Sequence, residues 1–143
     1  MIKENISAKD FKTKYPTYFK KQRGGNKYNA KKTLLNGLKF DSKSESDLYA
    51  ELELQRRGGV IFGLETQAKE SFEIYGKPLC NYYVDFKIFH IIGVVEFLEH
   101  KSTGTVTDVW KLKWKMLLAK YDKEIKNGTV ICNINWYRGY KIK

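Results

Sequence analysis

The 143-residue chain has two cysteines, two histidines and no long hydrophobic run, and each shortage removes a class of protein. Cys80 and Cys132 belong to no CxxC pair and neighbour no histidine at zinc-ligand spacing, which excludes a structural zinc site. Both read as buried free thiols. No apolar stretch reaches the roughly 18 residues that a membrane-spanning helix requires. The opening residues Met1-Ile2-Lys3-Glu4-Asn5 lack the apolar core of a signal peptide. The expectation is a soluble, cytoplasmic protein with no membrane partner. Acidic residues are also scarce, 16 against 27 Lys and Arg, leaving a formal charge of +11.

What is present suits one globular domain. Hydrophobic residues make up 42% and aromatics 15% of the chain, enough for a real core at this length. The positive charge is concentrated. Residues 1–32 hold ten Lys or Arg against two acids, and the remaining 111 residues carry a surplus of only three. Phe11, Tyr15, Tyr18, Phe19 and Tyr28 are interleaved with Lys20, Lys21, Arg23, Lys27, Lys31 and Lys32. Basic groups neutralise phosphates and aromatics stack on bases, so this segment reads as a nucleic-acid-binding arm. A solvated tail is the competing reading. Gly24-Gly25 marks a linker, which divides the chain into an arm over 1–27 and one domain over 28–143.

Within that domain, Asn36-Gly37 predicts a two-residue hairpin turn between Thr33 and Phe40. Ser42-Lys43-Ser44-Glu45 has the form of a capping box opening a helix that runs to Arg57 and stops at Gly58-Gly59. Val60–Gln67 and Ser71–Tyr75 read as short strands split by Ala68-Lys69-Glu70. Asn81–His90 and Ile92–Lys101 read as a stronger pair around a reversal at residues 91–93. Thr107 caps a second helix to about Asp122. Two apolar lines lie along it: Val109, Leu112, Met116 and Ala119, and beside them Trp110, Trp114, Leu117 and Tyr121. Residues 129–135 form a last strand after Asn127-Gly128. The fold class is α/β, in the order helix, three or four strands, helix, strand.

Chemistry concentrates on the two most apolar strands, where an unpaired charge is costly. Asp85 lies on the first, and Glu99-His100-Lys101 closes the second. Residues two apart share a strand face, so Glu99 and Lys101 project together and a neighbouring strand can bring Asp85 alongside. Two carboxylates and a lysine are the equipment of metal-assisted phosphodiester hydrolysis. Mg²⁺ prefers hard oxygen ligands and keeps several waters, so few acidic ligands suffice, and Mn²⁺ is a possible substitute. Lysine can orient water or offset charge in the transition state. An ordinary Glu-x-Lys ion pair is the rival reading. His100 faces away from the pair and reads as a packing residue, and Glu96 also faces away.

Helix–strands–helix–strand, with Asp85 on one strand and Glu99-x-Lys101 on the next, resembles the PD-(D/E)XK (restriction-endonuclease-like) nuclease superfamily. Three stretches resemble, more narrowly, small phage-encoded proteins related to Holliday-junction resolvases. They are Asn26-Lys27-Tyr28-Asn29-Ala30-Lys31-Lys32, Gly37 through Glu45, and Thr107-Asp108-Val109-Trp110-Lys111-Leu112-Lys113. The resemblance covers roughly residues 26–121. It implies a mixed sheet, Asp85 and Glu99 as metal ligands, and Lys101 assisting hydrolysis. It implies further a branched DNA substrate, a homodimer acting on two strands, and a bacterial host cytoplasm. Glu45 matches a further metal ligand of many members, a role that competes with its place in the capping box. Gln67 resembles a glutamine that some relatives place near the metal. Val84 stands where the superfamily name has proline.

Lys111, Lys113 and Lys115 on the second helix either touch DNA phosphates or form its wet face. Two other activities stay open: a nuclease for linear or single-stranded DNA, and a non-catalytic DNA-binding protein of the same fold. The arm makes a prediction independent of catalysis. If it supplies six phosphate contacts, deleting residues 1–27 flattens the slope of log K against log salt by about five. An unchanged slope in a filter-binding titration removes the arm from DNA recognition.

Overall fold

The computed structural model describes residues 33–137. The described residues fall into two compact units that meet in sequence between Glu51 and Leu52, inside one helix. In the first unit, β1 (Thr33–Leu35) and β2 (Leu38–Phe40) pair antiparallel. Asn36 and Gly37 turn the hairpin with φ of 50° and 79°, the paired positive angles that an Asn-Gly turn supplies. Helix α1 (Lys43–Arg57) follows. Ser42 caps it, its Oγ accepting from the Glu45 N–H at 3.1 Å. Phe40 and Tyr49 are both buried, with ring centroids 5.0 Å apart.

The second unit begins with the end of α1, which stops where the sequence predicts. Gly58 and Val60 donate back to the carbonyls of Leu54 and Gln55, and Gly59 takes a φ of 75°. A four-stranded sheet in spatial order β3-β4-β5-β6 follows. β3 (Ile61–Ile74), β4 (Lys77–His90) and β5 (Val95–Lys101) pair antiparallel in turn, and β6 (Val130–Trp136) lies parallel to β5. A parallel neighbour requires a crossover, and helices α2 (Asp108–Lys120) and α3 (Asp122–Asn127) provide it. The architecture is mixed α/β. Among the described residues no helix is long and apolar enough to cross a membrane.

Three expectations need correction. First, β3 is continuous through Ala68-Lys69-Glu70. Ala68 and Glu70 are buried and Lys69 is exposed, so the triplet alternates as a strand does. Glu70 tolerates burial because Lys120 Nζ and Tyr121 Oη meet its carboxylate at 2.6 and 3.0 Å. β3 and β4 then form one long hairpin, turned by Tyr75 and Gly76 at φ 49° and 74°. Second, α2 ends at Lys120. Tyr121 leaves helical geometry, its hydroxyl on Glu70 and its ring 5.1 Å from that of Phe97. Third, Cys80 and Cys132 are free thiols but only half-buried.

One face of α2 makes the core. Trp110, Trp114 and Leu117 pack with Phe72, Tyr82, Val84, Phe97 and Val130. Of the other apolar line only Met116 packs against this core. Val109 and Leu112 are 64% and 60% exposed, because a helix on one sheet face buries a single stripe. The two lines predict different costs. Leu117→Ala, at a fully buried position, lowers stability by about 2–5 kcal/mol. Leu112→Ala changes it by no more than about 0.5 kcal/mol. Urea denaturation of the two variants measures both, and equal losses contradict this packing.

Candidate active site

The backbone ladder between β4 and β5 ends at the pair Phe86–Leu98. Beyond it, two side chains take over the work of the ladder. The Asp85 N–H donates to Glu99 Oε2 at 3.1 Å, and the His100 N–H donates to Asp85 Oδ2 at 2.8 Å. Each carboxylate thus satisfies a backbone donor of the opposite strand, and the two acids are held side by side. On its other edge β5 keeps its pairing with β6 as far as Lys101–Trp136, so Glu99 and Lys101 stand on a braced strand.

Glu99 is 2% exposed, which would be prohibitive for a carboxylate without partners. Lys101 Nζ sits 3.1 Å from Glu99 Oε1, itself only 13% exposed. Trp110 Nε1 donates to the same oxygen at 3.0 Å and lies 3.1 Å from Tyr82 Oη. Burial pushes the Glu99 carboxyl above its ordinary range, and the charge of Asp85 adds to that push. Lys101 opposes both. Burial, and then the charge of Glu99, push the Tyr82 phenol up as well, so Tyr82 stays a neutral hydroxyl.

Gln67 lies opposite Asp85, between the register pairs Thr66–Phe86 and Ala68–Val84. Its Nε2 donates to Asp85 Oδ1 at 3.1 Å. Its φ of 50° falls in the left-handed region, a conformation that costs a non-glycine residue energy and is often retained at functional sites. The structure therefore brings together Asp85, Glu99, Lys101 and Gln67. Glu45 is buried in the first unit, and its backbone takes part in the Ser42 cap.

The remaining candidates divide. Lys20, Lys21, Arg23, Lys27, Lys31 and Lys32 lie outside the described residues. Lys111 and Lys115 are exposed on α2, Lys111 with Asp108 at 3.8 Å. Lys113 and Lys120 are drawn to the β3–β4 hairpin instead. Lys113 donates to the Asn81 carbonyl at 2.8 Å, and Lys120 to Glu70. His100 turns from the carboxylates, its ring edge-on to Tyr137. Burial holds its pKa low, with Lys101 lowering it further. Glu96 is engaged by His90 at 2.7 Å and Asn133 at 2.8 Å, apart from Glu99.

Sequence reasoning missed Trp110 and Tyr82 as site residues, placing the tryptophan in the core alone. The available signal was chemical: a buried indole N–H or phenol O–H needs a polar partner.

Among the described residues no three His, Cys, Asp or Glu side chains gather as a ready-made metal cluster. Asp85 and Glu99 nevertheless fit a hard divalent cation that keeps most of its waters. They are adjacent oxygen donors; burial raises the Glu99 carboxyl, the charge of Asp85 adds to it, and a cation would relieve that repulsion.

That raised carboxyl has a consequence for stability without metal. A folded-state pKa above the unfolded value contributes stability below the ordinary carboxylate range and loses it as pH rises through the folded value. In EDTA, wild type therefore loses melting temperature relative to Glu99→Gln as pH rises through the folded value, and regains it as pH falls. A difference between the two proteins that stays constant with pH contradicts this balance of charges.

A family model described as "Protein of unknown function (DUF1064)" matches residues 25–139. No curated protein and no solved structure matches the chain.

Proposed function

The chain belongs to the DUF1064 family, and we propose that it is a metal-dependent DNA endonuclease built on a PD-(D/E)XK core. The observation that carries this reading is the meeting of Asp85, Glu99 and Lys101 where β4 and β5 part. The element order supports it too: a helix, an antiparallel run of three strands, a helical crossover and a parallel fourth strand.

Asp85 and Glu99 would hold Mg²⁺, with Mn²⁺ able to replace it. When bound, the cation supplies charge neutralisation at the phosphate and makes water a better nucleophile. Lys101, paired with Glu99, orients the attacking water and donates to the charge that develops on phosphate oxygen. Gln67 fixes one Asp85 oxygen, and the His100 amide fixes the other. The water oxygen bonds to phosphorus as one ester P–O bond breaks, leaving an alcohol and a phosphate monoester. The preferred substrate is branched DNA, a four-way junction or fork, cut by a homodimer with two such sites. The basic arm and the exposed Lys111 and Lys115 would grip the backbone without reading sequence.

One observation favours a second reading, a non-catalytic DNA-binding protein. Every oxygen of Asp85 and Glu99 already receives a protein donor, from Gln67, Trp110, Lys101 or a strand amide.

Cleavage of a labelled four-way junction and its matching duplex separates the readings. Wild type cuts the junction with Mg²⁺ and not with EDTA, and Lys101→Ala lowers the rate by about 10²–10⁴-fold while binding persists. Equal cutting of duplex or single strands moves the substrate away from junctions. Salt-dependent binding without any cutting, in either Mg²⁺ or Mn²⁺, gives the second reading.

A further inference from the structure

The geometry points to Trp110 as the positioning residue of this site, its one indole fixing Glu99 and Lys101 relative to each other. The inference rests on the metal-dependent reading above. Two separate parts of the ring act. The Nε1–H donates to Glu99 Oε1 at 3.0 Å, and the ring face lies beneath Lys101 Nζ, 5.0 Å from its centroid. Lys101 Nζ meets that same Glu99 oxygen at 3.1 Å, so carboxylate, ammonium and indole close a three-membered arrangement.

The indole is itself packed on several sides. Thr107 caps α2 by accepting from the Trp110 backbone N–H at 3.1 Å, which places the residue in the first helical turn. Trp114 stacks on it with centroids 6.0 Å apart, and Trp136 meets it edge-on at 6.4 Å. Trp110 is buried and belongs to the core cluster, so its aim follows from packing. Tyr82 Oη beside the N–H keeps the arrangement polar without adding charge. A neutral donor suits this place. It orients Glu99 without cancelling the negative charge that a cation needs, whereas a second lysine would compete with the cation. Groups that orient a metal ligand from behind typically change metal affinity 10–100-fold when removed.

Trp110→Phe keeps a ring beneath Lys101 and deletes the N–H. Leu117→Ala is the control, a core change two helical turns away on the same helix. Two measurements decide the matter. In the first, indole ¹⁵N–H spectra of metal-free protein are compared between wild type and Glu99→Gln, with the Trp110 resonance assigned by its loss in Trp110→Phe. The Trp110 resonance moves and that of Trp114 moves less. A stationary Trp110 resonance overturns the proposal, and if Trp110→Phe does not fold the resonance is assigned through space from the proximity of its N–H to the Tyr82 ring. In the second, calorimetric titration with Mn²⁺ gives affinities. Trp110→Phe binds 10–100-fold more weakly than wild type, while Leu117→Ala loses thermal stability and keeps wild-type affinity. Equal affinity in wild type and Trp110→Phe, or equal losses in Trp110→Phe and Leu117→Ala, overturns the positioning role. Absence of Mn²⁺ binding in wild type sinks the metal-dependent reading and the positioning role with it. A shifted Trp110 resonance would then mark the indole contact as structural only.

Discussion

The structure turns on one exchange: Asp85 and Glu99 each accept the backbone N–H of the other's neighbourhood across the gap between β4 and β5. Without it, two strands that part after Phe86–Leu98 would leave amides unsatisfied at the edge of a packed core, at a cost of about 1–3 kcal/mol each. With it, two carboxylates are forced into adjacency, although their charges repel. The remaining features of the site compensate for that choice. Lys101 supplies the counter-charge, Trp110 and Tyr82 supply neutral donors, and Gln67 accepts an unfavourable φ while holding an Asp85 oxygen.

The same residues serve fold and site. Tyr82 and Trp110 belong to the cluster that seats α2 on the sheet, and both reach the Glu99 carboxylate region. Moving α2 would therefore disturb the carboxylates. The parallel pairing of β5 with β6 braces the strand that carries Glu99 and Lys101, and this pairing exists because α2 and α3 cross over. Glu70 plays a parallel structural part further along β3, binding Lys120 and Tyr121 and so tying the end of α2 to the hairpin.

Much of this was legible in the sequence because it depends on local rules. Asn36-Gly37, the Ser42 cap, Gly58-Gly59, the Thr107 cap and the strand period that pairs Glu99 with Lys101 are all short-range signals. What sequence obscured depends on distant partners. Ala68-Lys69-Glu70 reads as a break until Lys120 and Tyr121 are seen to neutralise a buried Glu70 some 50 residues away. Two apolar lines on α2 look equivalent, and only the single sheet face shows why Leu117 is buried and Leu112 exposed. The indole contact to Glu99 joins residues on different elements, and periodicity carries no trace of it.

We propose that Asp85 and Glu99 lie side by side to hold a cation. Crystals grown with Mn²⁺ test it directly through anomalous scattering. One strong peak is expected about 2.1 Å from oxygens of both Asp85 and Glu99, lost in Asp85→Asn crystals. At saturating Mn²⁺, a peak elsewhere, or none at these two residues with their hydrogen bonds intact, would contradict it.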